Sequence, residues 1–318
     1  MLVLLLQPAS WERFVAIDNV CAWPNLTLMR DGSVVATIFN RPSHGLLEGD
    51  VECWASRDGG RAWTRRGVAA PHEPGTNRMN VAAGEAHDGS LIVLASGWGG
   101  TGLRDKILPV WVCRSSDGGQ TWERNDAVAL PQGVDYLIPF GDVVAGPGSL
   151  LAAAMYREEL DRKPDRRSTS YLLFSRDDGR GWGDGVVIGA GDYNETAVLR
   201  LRADRWLAAA RTARDGHLEL FTSADEGRTW NDAAPLTLPS QHPGHLLRLA
   251  DGRIVLTYGI REPNHQGIGA RVSDDEGRTW KAPTRLVELE GTTDGGYPAT
   301  VQLPDRTLVT AYYSNGIP

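Results

Sequence analysis

The pattern Ser-x-Asp-x-Gly-x-x-Trp occurs five times in this chain, and no other feature constrains the fold as tightly. The copies are Ser56, Asp58, Gly60, Trp63; Ser115, Asp117, Gly119, Trp122; Ser175, Asp177, Gly179, Trp182; Ser223, Asp225, Gly227, Trp230; and Ser273, Asp275, Gly277, Trp280. Successive aspartates are 59, 60, 48 and 50 residues apart. That spacing fits one four-stranded sheet per repeat and is too long for a solenoid of short repeats. The chemistry of the motif is a clasp: the carboxylate accepts N–H groups of a tight turn, glycine supplies a positive φ, and tryptophan packs beneath. Five copies cannot share one active site, so these aspartates are read as structural.

A second repeat sets the count. Each unit has an apolar strand, a tight turn and another apolar strand, as in Leu26 to Met29, Asp31-Gly32 and Val34 to Ile38, then Val81 to Ala86, Asp88-Gly89 and Leu91 to Ala95. The form recurs around Gly146-Pro147-Gly148, Asp204-Arg205, Asp251-Gly252 and Asp305-Arg306, which makes six units. The sixth has only Ala299 to Leu303 and Leu308 to Tyr313, so its outer strands must come from residues about 1 to 18. The expected fold is all-β, a six-bladed β-propeller of four-stranded antiparallel sheets forming one domain over residues 1–318. Its last blade is closed by the N-terminal strand, which leaves no open sheet edge between the ends of the repeat.

Composition excludes several functions. With 41% hydrophobic and 23% charged residues, the chain can bury a core. No apolar run approaches the ~20 residues of a membrane span, and Leu2 to Leu6, broken by Gln7-Pro8, reads as a strand. The start lacks the basic region, longer apolar stretch and cleavage site of an export signal. A cytoplasmic location follows if the chain is complete, and a secreted or periplasmic one otherwise. A net charge of -7 has the wrong sign for gripping nucleic acid. Cys21, Cys53 and Cys113 lack metal or redox spacing and read as buried thiols.

In a propeller the first strand of each blade begins at the mouth of a central funnel, so polar residues at those starts converge. Here the starts read Trp23-Pro24-Asn25, Asn77-Arg78-Met79-Asn80, Asp135-Tyr136 with Asp142 beyond, Asn194-Glu195-Thr196, His242-Pro243-Gly244-His245 and Asp294-Gly295-Gly296-Tyr297. A structural strand would begin with apolar residues, so a pocket is expected there. His242 and His245 have a metal-like spacing but no third ligand in view, and sugar hydrogen bonding is the preferred role. No metal or organic cofactor is expected. Trp98, in a glycine-rich segment, is a candidate for stacking on a sugar or for packing a loop.

With its Asp-box repeats and six units, the chain resembles the sialidase superfamily over essentially its whole length. Asn194-Glu195-Thr196 through Arg200-Leu201, followed by Trp206 to Arg211, is similar to the family segment in which a glutamate opens one strand and an arginine ends the next. The resemblance implies that Glu195 activates a tyrosine nucleophile and that Arg211 holds a substrate carboxylate. It also places the nucleophile at Tyr297, whose phenol, ionising near ~10, needs a neighbouring base such as Glu195; a sugar-stacking tyrosine with a hydrogen-bonding tip is the alternative. Arg41 matches a family arginine in the loop 40–50, where the acid/base partner also belongs. Asp50 and Glu48 lead as that acid, with His44 close behind. Arg261 is the candidate for the third arginine, with Arg271 nearby, and Arg78 could compensate from the second blade.

The first blade departs from the family. Family members usually begin it with an aromatic-Arg-Ile-Pro motif, whereas this chain has Ala22-Trp23-Pro24-Asn25: the proline is kept, the arginine is missing, and neither Trp23 nor Asn25 offers a planar fork of donors. The leading expectation is an exo-acting glycoside hydrolase on a terminal, acidic sugar, with Trp23, Asn25, His44 and His245 shaping the substrate site. Two alternatives stay open: a lyase acting on a uronate-containing glycan, and a glycan-binding propeller without chemistry. The partner expected in each case is a glycan, with no nucleic acid or membrane, and the oligomeric state is left open.

Overall fold

The computed structural model describes residues 1–6, 10–21, 23–160, 167–231, 233–289 and 294–315; Gln7 and Pro8, expected to break the first apolar run, lie outside them. Within these residues the chain is all-β, with a single 3-10 turn at Thr101–Leu103 and no α-helix. None of its helices is long and apolar enough to cross a membrane. Four sheets are four-stranded and one is eight-stranded, and a small ribbon pairs Trp98–Gly99 with Lys106–Ile107.

The eight-stranded sheet is two antiparallel sets of four, joined where Asn80–Glu85 pairs in parallel with Ile138–Ala145. Six four-stranded units result. Their first strands are Asn25–Leu28, Asn80–Glu85, Ile138–Ala145, Tyr193–Arg200, Gln241–Arg248 and Gly295–Gln302. Each packs against the first strand of the next unit, and Gly295–Gln302 packs against Asn25–Leu28, so the series of contacts returns to its start.

The second strands show why the sequence adopts this arrangement. Val34–Phe39, Leu91–Ser96 and Ile254–Ile260 are buried at every position, as strands sandwiched by sheets on both faces must be. Where units three and four meet, Ala152, Ala154, Ala208 and Ala210 pack with Leu172, Phe174 and Trp206. Small side chains there let two twisted sheets approach while the aromatic rings fill the remaining gaps. Fourth strands are short or exposed, as at Glu123–Asn125 and Ala234–Pro235.

The sixth unit is completed as expected. Leu2–Leu6 pairs antiparallel with Leu308–Ser314, and Trp11–Val15 pairs on its outside. Leu4 and Leu5 are almost wholly buried, each contributing roughly 1.5–3 kcal/mol of burial.

All five Asp-boxes lie between the third and fourth strands of units one to five and share one geometry. In the first, Ser56 Oγ donates to Asp58 at 2.8 Å, Ala62 N donates to the same carboxylate at 2.9 Å, and Trp63 Nε1 donates to Gly60 O at 2.8 Å. The corresponding tryptophan bonds recur in the other four. Gly60 has φ 88° and Gly119 φ 90°, values that favour glycine. The three cysteines are buried free thiols.

Candidate functional site

Four first strands carry a register shift close to their starts: between Phe140 and Val143, Tyr193 and Thr196, Gln241 and Gly244, and Gly296 and Ala299. A bulge adds a residue to one strand, bends it and re-aims its side chains. These shifts occur where Asp142, Glu195, His242 and Tyr297 stand. The ends of the strands surround a cavity of about 270 Å3, lined from all six units by residues including Asn25, Asn80, Phe140, Glu195, His245 and Tyr297.

Backbone strain marks two cavity aromatics. Trp23 has φ 34° and Tyr297 φ 52°, left-handed conformations that cost bulky residues energy and persist only where surroundings enforce them. Their rings meet edge to face with centroids 6.0 Å apart.

At the floor, Tyr297 Oη donates to Glu195 Oε1 at 2.6 Å, and Arg211 Nη1 donates to Glu195 Oε2 at 2.6 Å. All three side chains line the cavity, and both Tyr297 and Glu195 are more than nine-tenths buried. Burial first, then the Glu195 charge, pushes the Tyr297 phenol well up, while Arg211 and Arg261 act in the opposite direction. Burial works against the charge of Arg211, but Glu195 more than offsets it and holds the guanidinium protonated. A carboxylate so placed is within reach of the phenol's proton, and the guanidinium on its other oxygen offsets its negative charge.

A second cluster adjoins the first. His44 Nδ1 lies 2.8 Å from Asp294 Oδ2, while Tyr313 Oη and Arg261 Nη2 donate to Asp294 Oδ1 at 2.7 and 2.6 Å. Burial would raise the Asp294 carboxyl, but His44, Tyr313 and Arg261 hold it below the usual range. Arg261 does not itself line the cavity; its guanidinium carbon sits 5.6 Å from the Tyr297 ring centroid. His44 lines it, with its ring edge-on to Trp23 at 4.6 Å. Cys21, His44 and Asp294 bring potential metal-binding atoms within 4.8 Å of one another. The donor set fits a cation poorly, because Asp294 already holds a guanidinium and burial pushes the Cys21 thiol well up.

Across the cavity, His245 Nε2 is 3.0 Å from Asp142 Oδ2, and Thr300 N donates to His245 Nδ1 at 3.4 Å. Asn25 Nδ2 donates to Gly141 O and to Asp142. Burial, then Arg211 and Arg261, depresses the His242 pKa to about 2, leaving a neutral ring.

Four other expected site residues do not line the cavity. Arg41 is exposed, and its Nε donates to Glu48 O at 2.9 Å. Glu48 is half-exposed with Oε2 3.5 Å from His72 Nε2. Asp50 accepts from His72 N and meets His72 Nδ1 at 2.7 Å. Burial would raise its carboxyl, but these bonds hold it low, the wrong tuning for a proton donor. Arg78 is buried in unit two, 3.7 Å over the Trp111 ring and donating to Pro109 O. All four are held by partners close by, the first three within the loop and its neighbour His72. The cavity instead gains Tyr156, Glu158 and Arg104, and Tyr313 behind it, which the sequence did not single out. Tyr156 and Glu158 stand at the end of a second strand, where an apolar run turning polar was the available signal.

The BNR repeat-like domain family matches residues 32–310. A sialidase of Micromonospora viridifaciens is 24% identical over 96% of this chain, which spans about half (52%) of that relative's length. A crystal structure of a protein of unknown function from Dyadobacter fermentans superposes with a TM-score of 0.78 at 22% identity, covering 95% of this chain and 93% of that one. The NanB sialidase from Streptococcus pneumoniae superposes with a TM-score of 0.72 at 15% identity, covering 93% and 66%. At these identities the solved structures speak to the fold, and the repeat model to kinship. The chain belongs to the BNR repeat-like family within the sialidase superfamily.

Proposed function

We propose that the six units close into a single six-bladed propeller domain and that the protein is a sialidase-family glycoside hydrolase acting at the end of a glycan. The observation that carries the reading is the contact of 2.6 Å between Tyr297 Oη and Glu195 Oε1 inside a cavity, with Arg211 on the other carboxylate oxygen. Tyr297 attacks the anomeric carbon as Glu195 takes its proton, and the bond to the leaving oxygen breaks. A glycosyl-tyrosine forms, and water then releases the sugar with retention. Support from relatives lies in the sialidase of Micromonospora viridifaciens and in sialidases among the structural neighbours.

Arg211 and, behind the phenol, Arg261 favour an acidic group on the sugar, while the arginine of the family's first-blade motif is missing from Ala22-Trp23-Pro24-Asn25. The sugar is therefore drawn from the acidic terminal residues, with true sialic acid as one member of the panel. The test is to incubate the protein with aryl glycosides of acidic and neutral sugars and with sialylated and uronate-containing oligosaccharides. Turnover without a new ultraviolet-absorbing double bond is expected, and Tyr297→Phe should lower it by more than about 10^4-fold while keeping the fold. Elimination products, or full activity in Tyr297→Phe, would remove this mechanism.

A further inference from the structure

A glycosyl transfer to tyrosine leaves one proton unaccounted for: the departing oxygen needs one, and the incoming water must lose one. Neither the Tyr297–Glu195 pair nor Arg211 supplies it, because Glu195 is committed to the phenol and to the guanidinium. Asp50 and Glu48 do not line the cavity. His245 lines it, but both ring nitrogens are engaged, Nε2 by Asp142 and Nδ1 by the backbone of Thr300. His44 differs: Nδ1 faces Asp294 and Tyr313, and no hydrogen bond engages Nε2 among the described residues.

We propose that His44 is the general acid and base of this site, with Asp294 as the residue that positions it. The inference rests on the hydrolase reading given above. A carboxylate on one ring nitrogen fixes the imidazole's orientation and tautomer and stabilises the imidazolium, leaving the opposite nitrogen to exchange protons. Asp294 is fixed in turn by Arg261 and Tyr313, and the edge of Trp23 holds the His44 ring. Arg104 donates to the His44 carbonyl, which ties the loop down. The charged and titratable groups around the ring are thus Asp294, Arg261 beyond it, Tyr313, Cys21 and Arg104.

The step balances. Tyr297 oxygen bonds to the anomeric carbon, its proton passes to Glu195, and the leaving oxygen departs with the proton from His44 Nε2. In the second step His44 Nε2 takes a proton from water, whose oxygen displaces tyrosine, and the phenol recovers its proton from Glu195. Trp23 beside His44 and Tyr297 connects the two clusters: its ring touches both.

The experiment compares His44→Ala, His44→Gln, Asp294→Asn and Glu158→Gln with Tyr297→Phe, on an activated dinitrophenyl glycoside and a poor-leaving-group alkyl glycoside of the sugar identified by the panel. For both His44 variants, kcat/KM should fall by about 10^2–10^4-fold on the alkyl glycoside and stay within about tenfold on the activated one, with azide restoring turnover as the retained glycosyl azide. Asp294→Asn should show the same pattern more weakly. Equal losses on both substrates, no loss on either, or the leaving-group pattern in Glu158→Gln instead would overturn the assignment. Tyr297→Phe should lose both substrates; if it keeps them while the His44 pattern stands, the nucleophile falls and the acid survives. A second readout needs no turnover: ring-nitrogen NMR of the whole protein should show a proton on His44 Nδ1, held toward Asp294, with its signal changed in Asp294→Asn. An Nδ1 that carries no proton would overturn the proposal.

Discussion

The Asp-box turns and the cavity floor both depend on buried or bonded carboxylates, but they use them in opposite ways. Asp177 is bonded within its own eight-residue motif, by Ser175 Oγ and by the backbone of Arg180 and Gly181. Glu195 is bonded to Tyr297, 102 residues away, and Asp294 to His44, 250 residues away. A carboxylate surrounded by its own turn is fully satisfied and has no chemistry left to perform. One satisfied by a phenol or an imidazole holds a proton that can move. In these cases the clasp is closed by near neighbours and the cavity pairs by residues far apart in sequence.

That contrast can be broken at several points. The largest effect is expected for Glu195→Gln, which keeps the shape but not the base: kcat/KM should fall by about 10^2–10^4-fold, with circular dichroism unchanged. A variant that retained activity would place Glu195 among the clasps. Next, Asp177→Ala should lower stability by about 1–2 kcal/mol, read from denaturant unfolding, while activity per folded molecule is unchanged. A loss of activity in the folded fraction would end the separation. The smallest effect is in acid. The Thr229 hydroxyl and backbone hold Asp225 ionised down to about 2, and Thr279 does the same for Asp275, against an ordinary value of 3.8. Because the folded-state pKa is the lower one, this stabilisation is present above the unfolded value and is lost as pH falls from about 4 to about 2. Thermal unfolding between those limits should fall less steeply in Thr229→Val, which removes the bond of 2.6 Å to Asp225.

The same distinction explains what could be read from the amino acids. The clasps, the six strand pairs and the role of residues 2–6 were legible because each is written within a few residues or by repetition. Glu195, Arg211 and Tyr297 were legible from their positions at strand starts and ends together with the family resemblance, and they meet. The loop 40–50 was not legible in the same way. Its carboxylates looked like proton donors by type, yet His72, from the loop after the fourth strand, draws both Glu48 and Asp50 toward itself. Nothing in the local sequence reports that pull. Arg78 likewise took Trp111 as its partner, a choice made by packing within unit two. The His44–Asp294 contact joins the first unit to the last across 250 residues, beyond the reach of any local pattern.

The pairing of Leu2–Leu6 with Leu308–Ser314 has a consequence for biosynthesis. As this strand leaves the ribosome, roughly 300 residues must follow before its inner neighbour is made, and until then that edge of it stays unpaired. Tyr297 and Asp294 lie on or beside the sheet that this late event completes. A chain that stops short of Leu308 leaves the sheet beside Tyr297 and Asp294 incomplete, and a permuted gene opening between two other units would remove the wait without altering the finished molecule.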